Sequence, residues 1–260
     1  MIAATVKLTL RLRLTMTCAA ALGLIAVTAA VGALFPSIGH SIGQLNLGSG
    51  VENLLGGADY GTPSGWFQSE IGAIYGPLVI GALAITGVVA ATAGKEESRI
   101  LALVLAYPIG RSALVLCKAA AIGVVVVAIA LATWAGLIIG VALAGGGVTV
   151  AHMTALAVQL AFFGTATGAL AFAVAAGTGR AAPATGVGAA IGIGGWLVNS
   201  FAPLVGWLSW LKYLSLYYYY AGHSPLTEGI DVPGLIVLAA ITAVSLAVGA
   251  LAIERRDLRG

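Results

Sequence analysis

The chain has 260 residues, 60% of them hydrophobic and 8% charged, with a net charge of +3. A water-soluble domain carries roughly 25% charged residues, so this composition excludes an ordinary soluble protein and demands a surface that faces lipid. The small net charge gives no reason to expect nucleic acid as a partner, and the position of each charge says more than the sum.

A membrane helix needs about 20 consecutive, mostly apolar residues. Six stretches qualify: 14–36, 71–93, 114–143, 152–178, 181–205 and 233–253. The expected fold is therefore an all-α membrane protein, residues 1–260 forming a single six-span domain. The first stretch follows basic residues as a secretory signal would, but its apolar run exceeds the roughly 7–15 residues of a signal core. Spans four and five are separated only by a tight turn around Gly177, Gly179, Arg180 and Pro183. The aromatic segment 201–222, broken by Pro203, reads as interfacial rather than as a further span. In the polar stretch 37–70, Pro36 and Pro63 act as breakers and a short helix is expected near Val51–Leu55.

The basic residues set the orientation. With six spans, Lys7, Arg11, Arg13, Lys95, Arg99, Arg111, Lys118, Arg180, Arg255, Arg256 and Arg259 fall on one side, and only Lys212 on the other. Lys and Arg accumulate on the cytoplasmic side. Both chain ends are thus expected in the cytoplasm, in a cell membrane. Cys18 and Cys117 fall near that same side, where a disulfide is not expected.

The loop between spans two and three is the most informative segment. It reads Gly94-Lys-Glu-Glu-Ser-Arg-Ile-Leu-Ala-Leu-Val-Leu-Ala-Tyr-Pro-Ile-Gly-Arg-Ser-Ala-Leu-Val-Leu-Cys-Lys118. Glu96 and Glu97 suit a helix N-terminus, where the dipole favours negative charge. Pro108 and Gly110 suit the second and fourth positions of a turn. The pattern predicts a short surface helix at about 96–106, with a charged end to dock a partner and an apolar face to hold the membrane domain.

This loop resembles the cytoplasmic loop of ABC-2 type transporter permeases. The match runs from the acids Glu96 and Glu97 through Leu101 to Leu105, then Pro108, Arg111 and Lys118. It departs at Ser98-Arg99-Ile100, where that family often has Gly-Thr-Leu. The resemblance implies a permease subunit of an exporter, paired with a second permease chain, identical or different. A dimer of separate cytoplasmic P-loop ATPase subunits would dock at the loop, which becomes a coupling helix whose site residues are Glu96, Glu97, Arg99, Pro108, Arg111 and Lys118. It also implies a connecting helix before span one, carrying Lys7 and Arg11, which share a helix face at i, i+4. Their simpler reading is an anchor to anionic lipid. Finally, it implies subunit contact through span five, where Gly188 and Gly192 lie. Glycine pairs four apart also occur at 72/76, 136/140 and 164/168, a spacing that so glycine-rich a chain produces by chance.

The chain lacks a nucleotide site: Gly94-Lys95 is followed by Glu96, not Ser or Thr, and no Gly stands at position 89. ATP and Mg belong to the partner ATPase, and this chain needs no cofactor of its own. Glu96, Glu97 and Arg99 do not match the spacing of EExxxR membrane proteases, and His152 and His223 fall on the opposite side. General acid–base chemistry needs groups within hydrogen-bond reach, and three scattered histidines make no metal site. An enzyme is therefore not expected.

Trp207, Trp210, Tyr217 and Tyr218 belong to a dense aromatic cluster near the outer face. An interfacial belt is the favoured reading, with an outer gate as the functional one. Gln159 and Asn199 are the clearest polar residues within spans, and no charge sits mid-span, which favours an externally driven exporter over an ion-coupled carrier. The cargo expected from so apolar an interior is a drug, antibiotic or lipid; some members of the resembled family instead serve metal-site maturation. The alternative reading is a membrane-embedded binding or assembly subunit without transport of its own.

Overall fold

The structure is a computed structural model and describes residues 2–39, 41, 59–97, 110–201 and 206–255. Among these described residues the regular structure is all helical, with six helices long and apolar enough to cross a membrane. The chain is accordingly a multi-pass membrane protein. The first span is α1 (Ile2–Leu34), closed by a π turn at Phe35–Gly39. The second, α2, covers 63–91 in three parts: Pro63–Phe67, a π-helical Gln68–Tyr75, and Gly76–Ala91. A short helix α3 (Ala93–Glu97) follows. Spans three to five are α4 (Arg111–Leu143), α5 (Val150–Thr178) and α6 (Ala181–Phe201). A 3₁₀ stretch (Gly206–Leu214) and the short helices α7 (Leu216–Ala221) and α8 (Pro225–Glu228) precede the last span, α9 (Val232–Arg255).

Two helices run further than the sequence pattern predicts. α1 is continuous from residue 2, so Lys7 and Arg11 lie on the same unbroken helix as the first span. No Gly or Pro occurs between Ile2 and Leu22, and nothing there breaks the helix. α2 begins at Pro63, which acts as a starter rather than a breaker. Proline at the first helical position lacks only an N–H that would have no partner anyway. Thr62 caps the helix by accepting from the Gly65 N–H. The expected helices at 51–55 and 96–106 lie wholly or mostly outside the described residues.

α5 is the centre of the bundle, packing against α2, α4, α6 and α9. Of the most apolar window in each span, 61% is buried for α2 and α5, but only 28% for α1, 22% for α9 and 17% for α6. The last three therefore form the periphery of the bundle. α1 rides on α4 along its length. There Gly32 faces Gly140, and a side chain on Gly32 would overlap the Gly140 carbonyl. Gly136 sits against Thr28 of α1. On α5, a Cβ at Gly164 would lie 2.9 Å from Ile80, and one at Gly168 3.2 Å from Ala84. The glycine pairs 136/140 and 164/168 are thus seams within this chain.

The turns fix which ends meet. Gly145, Gly146 and Gly147 all have positive φ and carry the chain from α4 to α5, a conformation glycine adopts without steric cost. Gly179, at φ 62°, ends α5 and turns the chain directly into α6. The threading gathers Lys95, Lys118, Arg180 and Arg255 at one end, where Glu97 meets Ala181 and Gly177 meets Ala252. The other end holds residues 59–67, the glycine turn and α7–α8: Gly147 contacts Pro63, and the Leu226 N–H donates to Gln68.

Candidate functional site

The basic end is built around α3. α2 stops at Thr92, whose backbone leaves the helical region at φ −114° and ψ −91°. The Thr92 carbonyl then accepts from the Lys95 and Glu96 N–H groups and restarts the helix. Of the residues expected at a docking surface, Glu96 is only 3% exposed and Lys118 only 8%. Lys118 lies seven residues into α4, about 10 Å from its first residue, and faces the Lys95 charge. α4 is about 50 Å long against roughly 30 Å of hydrocarbon, so its first two turns need not enter the lipid core.

Glu97 is exposed, and its carboxylate accepts a 2.8 Å hydrogen bond from the Ala181 N–H. That N–H opens α6, where no helical acceptor exists. α3 is thereby fastened to α2 by chain continuity and to α6 by this cap. Arg111 is the first residue of α4; Arg99 and Pro108 lie outside the described residues. Lys7 and Arg11 are exposed on α1, while Arg13 reaches across to donate to the Thr86 carbonyl of α2 at 3.1 Å.

Between α2, α5 and α6 lies an apolar cavity of about 320 Å³. Its walls include Pro77, Gly81 and Ile85 of α2, Phe163 and Thr167 of α5, and Ala189, Gly192 and Trp196 of α6, with Tyr217 of α7 at the aromatic end. Two further wall residues, Leu78 and Ile193, are 57% and 55% exposed, so the cavity opens sideways between α2 and α6. The hydroxyls of Thr167 and Tyr217 are taken by the Phe163 and Ala73 carbonyls. An occupant therefore meets almost only carbon. Pockets for small molecules run from roughly 300 to 1,000 Å³, and this one fits a compact apolar group or part of a chain. Gly188 backs onto Ile85, where a Cβ would come within 2.9 Å, and Gly192 lines the cavity. The outward face of α6 carries Val187, Leu197 and Phe201 instead.

The aromatic end divides the predicted cluster in two. Trp207 and Trp210 are 75% and 57% exposed on the 3₁₀ stretch, as an interfacial belt would be. Tyr218 is half-buried and packs edge-on to Tyr213 at 5.1 Å. Lys212 lies over both rings, 5.2 Å from Tyr213 and 5.5 Å from Tyr218. Tyr217 and Tyr220, by contrast, point inward against Phe163 and are almost fully buried. Their hydroxyls donate to the α2 carbonyls of Ala73 and Gly72, at 3.0 and 2.7 Å. Burial pushes both phenols well above their ordinary pKa, so they remain neutral donors at neutral pH.

Gln159 is buried at the same place. With its amide oriented to match its neighbours, it donates to the Tyr220 carbonyl at 3.0 Å and accepts from the Asp231 N–H at 2.7 Å. Asn199 is half-buried on α6. The sequence pattern also passed over a second group, in which Trp66 packs edge-on to Phe35 and Tyr60 and donates to the Val31 carbonyl. Only the aromatic content of 60–67 hinted at it. His223 pairs with Asp231 at 3.2 Å, and among the described residues no three His, Cys, Asp or Glu side chains converge.

The chain matches no model of a known protein family and no curated protein.

Proposed function

We propose that the chain is a permease subunit of an ATP-driven exporter in the cell membrane, working as a pair with a second permease chain. The basic end faces the cytoplasm, and the cargo is apolar or amphiphilic. The observation that carries this reading is the Glu97 cap on α6. Through it, the short helix at the basic end holds α2 and α6, the two helices between which the lateral cavity opens. A push on α3 from a docked ATPase therefore reaches both edges of a site suited to carbon-rich molecules. The eleven-to-one sorting of Lys and Arg supports the orientation. The loop's likeness to ABC-2 permeases supports the coupling role, and the absence of a P-loop sequence assigns ATP and Mg to the partner.

Efflux of an apolar fluorescent dye from cells or proteoliposomes holding the chain and its ATPase tests this. Glu97→Ala removes the cap from an exposed position. It is expected to lower ATP-driven efflux about tenfold or more, with the protein still folded and inserted. Undiminished efflux would contradict the coupling role of α3. Glu96 makes a poor test residue, because reversing a buried charge disturbs the fold itself.

A further inference from the structure

We propose that α7 is a displaceable stopper on the lateral cavity, held in place by the Tyr217 and Tyr220 hydroxyls. The reason lies in α2. The Gly76 N–H bonds to the Ile71 carbonyl, five residues back. Pro77 has no N–H. The Gly72 carbonyl therefore has no donor at either i+4 or i+5, and the Ala73 carbonyl lacks its i+4 donor. Both lie in a buried part of α2, where an unpaired carbonyl is costly. These are the two carbonyls that Tyr220 and Tyr217 satisfy. π-helical turns are frequent at functional sites, and here the turn and Pro77 together leave the Gly72 carbonyl without its helical donors and the Ala73 carbonyl without its i+4 donor, and a distant segment donates to both.

α7 also packs Leu216 and the Tyr217 and Tyr220 rings into the core, and its remaining polar bonds lie at its margins. Ser215 caps it by accepting from the Tyr217 N–H and donates at 2.8 Å to the Gly195 carbonyl of α6. Gln159 of α5 holds the Tyr220 carbonyl. α7 is six residues long, and non-helical residues flank it, Ser215 before and Gly222–Ser224 after. Tyr217 is the residue of α7 that lines the cavity. When α7 lifts towards the aromatic end, the cavity opens to that end, and water takes up the carbonyls that the tyrosines release. The stopper concerns only how the cavity is closed, and stands whether or not an ATPase drives it.

The test uses the full chain in nanodiscs, with Cys18→Ala and Cys117→Ala and a reporter at Gly192→Cys. A Cβ at Gly192 meets nothing within 4 Å, so the reporter fits without strain. A charged, membrane-impermeant maleimide reaches it only from an aqueous end. Labelling is expected to quicken about fivefold with Tyr217→Phe or Tyr220→Phe, and more than tenfold with both, the effect of losing one or two hydrogen bonds. A second reporter, Ala176→Cys, is buried in α5 among Val88, Val115 and Ile253, none of which lines the cavity, and is expected to stay unreactive. Unchanged labelling at position 192, or equal quickening at 176, would overturn the proposal.

If the Phe variants do not fold, a disulfide answers instead. A Cβ at Gly195 would lie 3.9 Å from the Ser215 Cβ, within the roughly 3.5–4.5 Å that a disulfide spans. In Gly195→Cys/Ser215→Cys, reduction is expected to raise hydrogen exchange of the 217–221 amides at least tenfold. Equal exchange in the oxidised and reduced protein would overturn the stopper.

Discussion

Tyr220 combines two contributions that one substitution separates. Its ring packs on Phe163 at a centroid distance of 5.1 Å, and its hydroxyl donates to the Gly72 carbonyl. Tyr220→Phe keeps the ring and leaves the carbonyl unpaired, which costs about 1–3 kcal/mol. Thermal unfolding in detergent should show a clear fall in midpoint, whereas Trp207→Ala, at a residue 75% exposed, should change stability by no more than about 0.5 kcal/mol. Equal effects would contradict the division of the cluster. The sequence alone could not make that division. Four tyrosines in a row have no periodicity to choose a face, and the carbonyls that the two inward ones bond, Ala73 and Gly72, stand 144 and 148 residues away, just before Pro77. Lys118 illustrates the same difficulty: its place after a charged loop suggests a surface residue, yet its surroundings bury it.

At the scale of helices, the glycines separate into those that neighbours crowd and those that face open space. A Cβ on Gly140 would lie 2.5 Å from the Thr28 carbonyl and 3.0 Å from the Phe67 ring, and backbone cannot move aside. Gly140→Ala should destabilise the α1–α4 pair by about 1–3 kcal/mol, as overpacked cores are. Gly23, on α1 with nothing within 4 Å of a Cβ, should accept Ala at no cost, or gain up to about 1 kcal/mol from helix propensity. Unfolding midpoints of the two variants check this directly, and a tolerant Gly140 would mean that the seam is not close-packed. Spacing of four revealed the glycine pairs but not their partners, because so many glycines produce the pattern by chance. Helix length was legible only where the pattern was purely apolar. The start of α2 was hidden because Pro63 serves breaker and N1 roles alike, and a capping Thr62 before it was the one clue.

For the whole molecule, six spans and a sorted set of charges were readable from composition and apolar runs, since lipid imposes both constraints on any chain. The lateral cavity was not readable, because it depends on how α2, α5 and α6 diverge and not on any residue pattern. The cavity, the Glu97 cap and the tyrosine-held α7 lie along the same pair of helices, from the basic end to the aromatic end. That alignment is what a machine driven from one end and opened at the other requires. The proposed function stands or falls on a separate ATPase that supplies the drive by docking at the loop between α2 and α4. Affinity purification of the tagged chain from mild detergent, under nucleotide-trapping conditions, with mass spectrometry of what accompanies it, asks for that ATPase outright. The expected result is a P-loop ATPase that is lost when residues 98–109 are replaced by a Gly-Ser segment of equal length. Recovery of the chain alone would contradict the exporter reading and favour a membrane subunit that binds or assembles without transport.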